Sequence, residues 1–189
     1  MLNYIYRGKM QMKIKDSEFQ EIKIIENAYA YDMRGNFIKT FNEEEFLRLG
    51  LNADFKETYY STSQKDVIRG MHFQLPPYEH DKIIHVICGS VIDVIVDLRK
   101  ESKNYKRHIA IRLTGNRPRS IYIPKGFAHG FQCLENNTIM LYQVTTGYQP
   151  NCDSGIAYDS IGYDWKIEDP ILSERDQHFI TLEEFASPF

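Results

Sequence analysis

The strongest constraint on the fold is a series of short β-prone runs between about residues 58 and 148. The runs are rich in Ile and Val, and turn residues separate them at short, regular intervals. The clearest runs cover residues 83–87, 91–98, 108–113, 120–123 and 138–144. This spacing is typical of a sandwich or barrel rather than of βαβ units. We therefore predict a mainly β protein, a double-sheet jelly roll or a related barrel with a few short helices.

The flanking segments carry weaker patterns, and none of them separates a second domain. Residues 13–31 alternate roughly between apolar and polar side chains, which predicts early strands. Residues 42–50 begin with a cap residue, continue with an acidic first turn and end at a glycine, which predicts a short helix. The tail, residues 150–189, is mixed, and a helical turn is expected at 181–186. Since no repeat or low-complexity linker occurs, we predict one domain over residues 1–189.

Composition excludes several classes of partner. The net charge of −3 and the isoelectric point near 6.1 give no basic surplus, so neither nucleic acid nor a membrane surface is expected as a partner. No apolar run reaches the length of about 18 residues that a membrane span needs. The three cysteines are widely spaced and form no CxxC pair, which favours a reducing, cytoplasmic location over a disulfide framework or a zinc site.

The first candidate cluster is the hexapeptide Arg-Gly-Met-His-Phe-Gln at residues 69–74. It supplies a cation, an imidazole and an amide around a glycine that permits close backbone approach. Because side chains two residues apart share one face of a strand, His72 and Gln74 are predicted to point the same way. Lys82 is expected to open a neighbouring strand. The alternative interpretation, an ordinary polar strand end, is the more frequent one for a lone histidine.

Other polar residues in the chain also have an ordinary structural explanation beside a functional one. His129 lies between two phenylalanines and is typical of a packed core histidine, and Tyr142 is typical of a core tyrosine. Ser173 is placed to cap a helical turn at Asp176. Arg34 lies in a predicted turn, where its guanidinium is available for a phosphate.

A metal site is not expected. Metal-binding jelly rolls usually need two histidines one residue apart, followed by a glutamate and a distant histidine. Here Gln74 stands two residues after His72, and His80 and His85 are five apart. Neither common Gly-rich phosphate loop occurs. We therefore predict no metal and no cofactor.

Taken in order along the chain, these segments resemble the dTDP-4-dehydrorhamnose 3,5-epimerase family, which belongs to the cupin jelly-roll (double-stranded β-helix) class. The matching segments are residues 34–35, 67–74, 82–84 with Gly89, 93–99, 123–131, 141–142 with Tyr148, and 172–176. Each alone is a weak match, whereas seven in order over roughly residues 31–177 are specific. The resemblance implies a metal-free homodimer that exchanges N-terminal strands, in which residues 150–189 complete the site.

The resemblance implies an isomerase that epimerises C3 and C5 of a nucleotide-linked 4-keto-6-deoxy sugar through an enolate. His72 would remove the proton and Asp176 would orient its imidazole. Lys82 would lie near the developing oxyanion, and Tyr142 would return a proton from the opposite face. The implied substrate-binding residues are Arg34, Phe37, Ser63, Arg69, Gln74, His129, Tyr148 and Arg175.

Departures from the family pattern lie at positions expected near the nucleotide. Tyr59 stands where Asn is usual, Lys39 where an acid is usual, and Arg175 where Lys is usual. They leave the nucleotide open between dTDP and GDP, and the sugar open between a hexose and a heptose. The main alternative function is an epimerase acting at only one of the two carbons. A cupin 3,4-ketoisomerase and a non-catalytic sugar-nucleotide binding protein fit less well.

Overall fold

The computed structural model describes residues 7–189. Fourteen strands, one α-helix and two short 3₁₀ helices occur in this part of the chain. The strands are β1 (Arg7–Lys9), β2 (Lys13–Asp16), β3 (Lys23–Glu26), β4 (Ala28–Asp32), β5 (Gly35–Lys39), β6 (Glu57–Ser63), β7 (Ile68–Gln74), β8 (Lys82–Cys88), β9 (Ser90–Asp97), β10 (His108–Thr114), β11 (Arg119–Ile123), β12 (Phe127–Cys133), β13 (Thr138–Val144) and β14 (Asp153–Gly155). The helix α1 is Glu43–Arg48, and the 3₁₀ helices are Tyr158–Ser160 and Asp176–His178.

Two antiparallel sheets contain most of these strands. One has five strands in the order β10-β9-β12-β7-β14, and the other has six in the order β2-β3-β11-β8-β13-β6. From β6 to β14 each strand lies in the sheet opposite its predecessor, except for the hairpin of β9 and β10. A chain that keeps crossing between two sheets is the arrangement of a jelly roll. The predicted mainly β, jelly-roll fold is confirmed.

The apolar residues between the two sheets form the main core. Ile84 and Val86 of β8, Ile95 of β9, Phe131 of β12 and Met140 of β13 are all buried in one cluster. Side chains of this size each contribute about 1.5–3 kcal/mol when they leave water, so the alternating Ile and Val pattern of the sequence is what holds the sheets together.

Two flanking segments cover the outer faces of the sheets. On the six-stranded sheet, α1 buries Phe46 beside Ile83, and its first turn is capped by the Asn42 side chain, which accepts from Glu45 N at 3.0 Å. On the five-stranded sheet, the C-terminal segment buries an apolar row against strands β7, β9 and β12. The members of that row are Ile156, Ile161, Trp165 and Leu182.

At the C-terminus the local sequence pattern predicts the secondary structure less well. The helical turn expected at residues 181–186 is reduced to one hydrogen-bonded turn, in which Phe185 N donates to Thr181 O at 3.1 Å. The turn is also held by the Glu184 side chain, which accepts hydrogen bonds from Thr181 N and Oγ1.

Near the N-terminus, β1, β4 and β5 form a separate three-stranded sheet. Within residues 7–189 no helix is long and apolar enough to cross a membrane.

Candidate active site

A cavity of about 340 Å³ lies between the two sheets. Most of the residues predicted to act on a substrate line it, and they come from both walls. The five-stranded sheet contributes Arg69, His72, Gln74 and His129, the six-stranded sheet contributes Lys82 and Tyr142, and the segments beyond β13 contribute Tyr148 and Arg175. The jelly-roll topology therefore gathers side chains that are far apart in sequence, such as Arg69 and Arg175, which are 106 positions apart.

His72 is held by Asp176, which lies behind it rather than in the cavity wall. His72 Nε2 is 2.8 Å from Asp176 Oδ1, while Gly70 N donates to Asp176 Oδ2 at 3.2 Å. The backbone nitrogen of Asp176 donates to Ser173 Oγ at 3.1 Å, which confirms the predicted cap. Burial opposes ionisation of the Asp176 carboxyl, but hydrogen bonds from His72, Gly70 and Ser173 outweigh it and lower its pKa.

An ionised Asp176 fixes the tautomer of His72. A carboxylate can only accept, so the neutral imidazole places its proton on Nε2 and keeps the lone pair on Nδ1. The charge of the same carboxylate stabilises the imidazolium that forms once Nδ1 takes up a proton. The pair thus has the arrangement of a general base and its orienting acid.

Lys82 opens a strand, β8, as predicted, but that strand lies in the sheet opposite His72 and is not a neighbour of β7. The connection after β7 crosses to the facing sheet, where Lys82 begins β8. The strands that pair with β7 are instead β12 and β14. Its side chain is buried, which lowers its pKa to about 8, although the carboxylates of Asp93 and Asp153 oppose the shift. A lysine in this position supplies a positive charge to the cavity at neutral pH.

Tyr142 is buried and lines the cavity from the six-stranded sheet, opposite His72. Its ring stacks on Tyr59 with centroids 4.8 Å apart, and its Oη lies 3.1 Å from Ser61 Oγ. Burial raises the pKa of Tyr142 above its usual value, so its hydroxyl stays protonated throughout the neutral range. A protonated phenol opposite a histidine base is chemically able to act as the acid.

His129 forms a second buried pair, with Asp93. The two strands β7 and β12 place His129 directly beside His72, and His129 Nε2 lies 2.6 Å from Asp93 Oδ2. Burial raises the pKa of Asp93 and lowers that of His129, so the pair shares one proton and carries no net charge. Asp93 was not predicted as a site residue. A single acid inside the apolar run of residues 91–96 was the available signal, because a charge in a buried strand needs a partner.

Several predicted binding residues are tied to protein partners. Ser63 is outside the cavity wall and accepts from Arg69 Nε at 3.0 Å, so it orients that guanidinium. Gln74 accepts from Gln149 N at 2.7 Å and donates to Tyr78 O at 2.8 Å, which occupies much of its hydrogen-bonding capacity. The roles of these residues toward a substrate stay predictions.

Arg175 is anchored at the mouth of the cavity. Its Nη1 lies 2.7 Å from Asp153 Oδ2, and its guanidinium lies 5.1 Å from the ring of Phe179. The Phe179 ring in turn packs edge-on against His72 at 5.8 Å. Asp153 was missed because the three-residue strand β14 is too short to show an alternating pattern.

Arg34 and Phe37 do not reach this cavity within one chain. They lie at the β4–β5 turn and on β5 of the separate three-stranded sheet. The Arg34 side chain is 89% exposed and pairs with Asp32, and Phe37 is 60% exposed. Their predicted contact with a nucleotide stays a prediction that needs a second chain.

One wall of the cavity was not predicted at all. Alternate residues of β6 point into the cavity, namely Glu57, Tyr59 and Ser61. The sequence marks Tyr59 only as a departure from the family pattern. The period of two in a strand was the signal that could have grouped these three residues.

Within residues 7–189 no cluster of three His, Cys, Asp or Glu side chains is placed to hold a metal ion.

Comparison with known proteins agrees with this geometry. A family model described as dTDP-4-dehydrorhamnose 3,5-epimerase matches residues 16–184. The dTDP-4-dehydrorhamnose 3,5-epimerase of Methanothermobacter thermautotrophicus is 41% identical over 180 residues, which cover 89% of this chain and 97% of that protein. The chain belongs to the dTDP-4-dehydrorhamnose 3,5-epimerase family.

Solved structures of the family share the fold. The enzyme of Bacillus anthracis, solved with TDP and pyrophosphate bound, superposes with a TM-score of 0.87 at 35% identity and covers 90% of this chain and 99% of its own. The dTDP-6-deoxy-D-glucose-3,5-epimerase of Legionella pneumophila, in complex with dTDP-4-keto-L-rhamnose, gives a TM-score of 0.87 at 33% identity and covers 92% and 94%. The predicted family is confirmed.

The depressed pKa of Lys82 predicts a measurable titration. We expect its ammonium to titrate near pH 8, so that the positive charge is present below that pH and lost as the pH rises. In Asp153→Asn the midpoint is expected to fall further, because a carboxylate that opposes the effect of burial is removed. ¹³C NMR of reductively methylated protein measures it, and Asp159→Asn, at an exposed 3₁₀ position, is the control. A Lys82 midpoint near 10.5 in all three proteins would contradict the assignment.

Proposed function

We propose that this chain is an isomerase that epimerises C3 and C5 of a nucleotide-linked 4-keto-6-deoxy sugar. One observation carries the proposal: the Asp176-oriented His72 and the protonated Tyr142 line the same cavity from opposite sheets. Inversion of a carbon centre needs proton removal on one face and proton delivery on the other. A base and an acid on facing walls meet that need.

The ketone at C4 makes the chemistry possible. It acidifies the hydrogens on C3 and C5, because the electron pair left by proton removal delocalises into an enolate. Nδ1 of His72 takes the proton and becomes part of an imidazolium, whose charge Asp176 balances. Lys82, positively charged below about pH 8, stabilises the negative oxygen of the enolate, an effect on the order of 3 kcal/mol for one well-placed donor.

Reprotonation decides the product. If the imidazolium returns its proton, the original centre is restored, whereas a proton from Tyr142 on the opposite face inverts it. The phenolate then takes a proton from solvent, since burial favours the neutral hydroxyl, and the His72 imidazolium releases its proton to solvent, which resets both residues for the next carbon. The same residues serve C3 and C5 when each carbon in turn lies between the two walls.

We infer that dTDP is the nucleotide, since the relatives named above act on or bind dTDP compounds. The exposed guanidinium groups of Arg69 and Arg175 on the cavity wall suit a diphosphate. A GDP-linked hexose or heptose is the alternative that the changes at Tyr59 and Lys39 leave open. We also propose a cytoplasmic location, which is supported by the three free cysteines.

His72→Asn is expected to abolish hydrogen exchange at C3 and C5 while nucleotide-sugar binding persists. An amide cannot act as a base at neutral pH, and the loss of such a group costs on the order of 10²–10⁴-fold. Solvent-deuterium incorporation measures exchange, and calorimetry measures binding. His108→Asn is the control, because His108 bonds Ile161 O and lies outside the cavity lining. Turnover unchanged by His72→Asn would remove His72 from the mechanism.

We propose a homodimer in which the three-stranded sheet of each chain serves the cavity of its partner. The support is that Arg34 and Phe37 are expected to hold the nucleotide yet lie exposed on a sheet away from their own cavity. Such an exchange would give an arginine and an aromatic face to the nucleotide and would cover apolar surface, including Met33, that is now exposed.

Co-expression of two inactive variants tests this exchange. Arg34→Ala and His72→Asn chains, each weak alone, are expected to regain activity in the mixed dimer, because one cavity then has an intact His72 and an intact Arg34 from the other chain. Sedimentation should give twice the 22.3 kDa mass of one chain. If the mixture shows no recovery although mixed dimers form, Arg34 acts within its own chain and the proposal fails.

A further inference from the structure

Tyr59 is in direct contact with Tyr142, the proposed acid. Strands β6 and β13 are paired antiparallel, and Tyr59 is directly opposite Tyr142 in their register. The two rings are 4.8 Å apart at an angle of 16°, a stacked arrangement. Both rings line the cavity. A cross-strand aromatic pair of this kind restricts the motion of both side chains.

The hydroxyl of Tyr142 is fixed by the same strand. Ser61, two residues after Tyr59, points to the same side and its Oγ lies 3.1 Å from Tyr142 Oη. The ring centroids of His129 and Phe131, both on β12, lie 6.3 and 6.5 Å from the Tyr142 ring centroid. The Tyr142 ring thus stacks on Tyr59 and packs near two rings of β12, while its hydroxyl contacts Ser61.

We propose that Tyr59 is a positioning residue, which acts through Tyr142 by holding its ring at the angle that delivers a proton to the inverted face of the sugar. The inference rests on the proposed function. Without the stacked ring, the space on that face of Tyr142 opens to the cavity and the phenol gains freedom to tilt. Proton delivery depends steeply on distance and direction, so a tilted phenol leaves the enolate to be reprotonated by His72.

Tyr59 is suited to stacking rather than to proton transfer. Burial and the nearby carboxylates of Glu57 and Asp153 raise its pKa to about 12, so its hydroxyl stays neutral at physiological pH. No hydrogen bond joins that hydroxyl to Tyr142; the contact between them is through the ring faces. The ring, not the hydroxyl, is therefore the part of Tyr59 that matters for Tyr142.

The test separates proton removal from inversion. In D₂O, deuterium entering the recovered substrate reports removal by His72, while inverted product reports delivery by Tyr142. We expect Tyr59→Leu to lower the ratio of inverted product to total exchange about 10-fold, which corresponds to about 1.4 kcal/mol and lies within the range for an aromatic pair. Tyr59→Phe keeps the ring and is expected to keep the wild-type ratio. Tyr142→Phe gives the lower limit of the ratio.

Tyr60→Leu is the matched control. Tyr60 is the next residue of the same strand, is exposed and does not line the cavity. If Tyr59 served only stability, Tyr59→Leu would reduce exchange and inversion together and leave their ratio unchanged, which would overturn the proposal, as would a fall of equal size in Tyr59→Phe. If the wild-type protein exchanges no hydrogen with any nucleotide sugar, the proposed function itself fails and takes this inference with it.

Discussion

The hydrogen bond between His72 and Asp176 is the interaction on which the site depends. It joins residues 104 positions apart, so it exists only when the C-terminal segment has docked on the five-stranded sheet. That docking uses backbone bonds between Met71 and Ile156 in both directions, at 3.2 and 3.0 Å, and the burial of Trp165 and its apolar neighbours. His72 is therefore oriented as a base only in the completed fold, because Asp176, which orients it, lies in the C-terminal segment.

The second constraint is the pair of facing sheets. An antiparallel sandwich buries alternate side chains of every strand, and the same alternation that fills the core with Ile and Val points polar residues into one cavity. Polar groups in such a position are costly unless they are paired. In this protein the polar groups of the cavity are neutral or paired. Asp93 is paired with His129, Arg175 forms an ion pair with Asp153, and Tyr142 is protonated.

Strand positions and the family motifs were predictable from sequence, whereas the relations between strands were not. The runs at 83–87 and 138–144 and the cap of Asp176 by Ser173 follow from local pattern, and the structure confirms them. Local pattern carries no information on which sheet receives a strand, and this is why Lys82 was placed beside His72 rather than opposite it. The stacking of Tyr59 on Tyr142 depends on strand register, which a single sequence does not specify.

The most direct test of the account is mass spectrometry of the wild-type protein incubated in D₂O with a dTDP-linked and, separately, a GDP-linked 4-keto-6-deoxy sugar. Two deuterons in the product, at C3 and C5, on the dTDP-linked sugar are predicted, since one base and one acid serve both carbons. A single deuteron would contradict the two-centre function and leave an epimerase of one carbon. No deuterium on any substrate, with the protein folded and the nucleotide bound, would contradict the enolate mechanism itself.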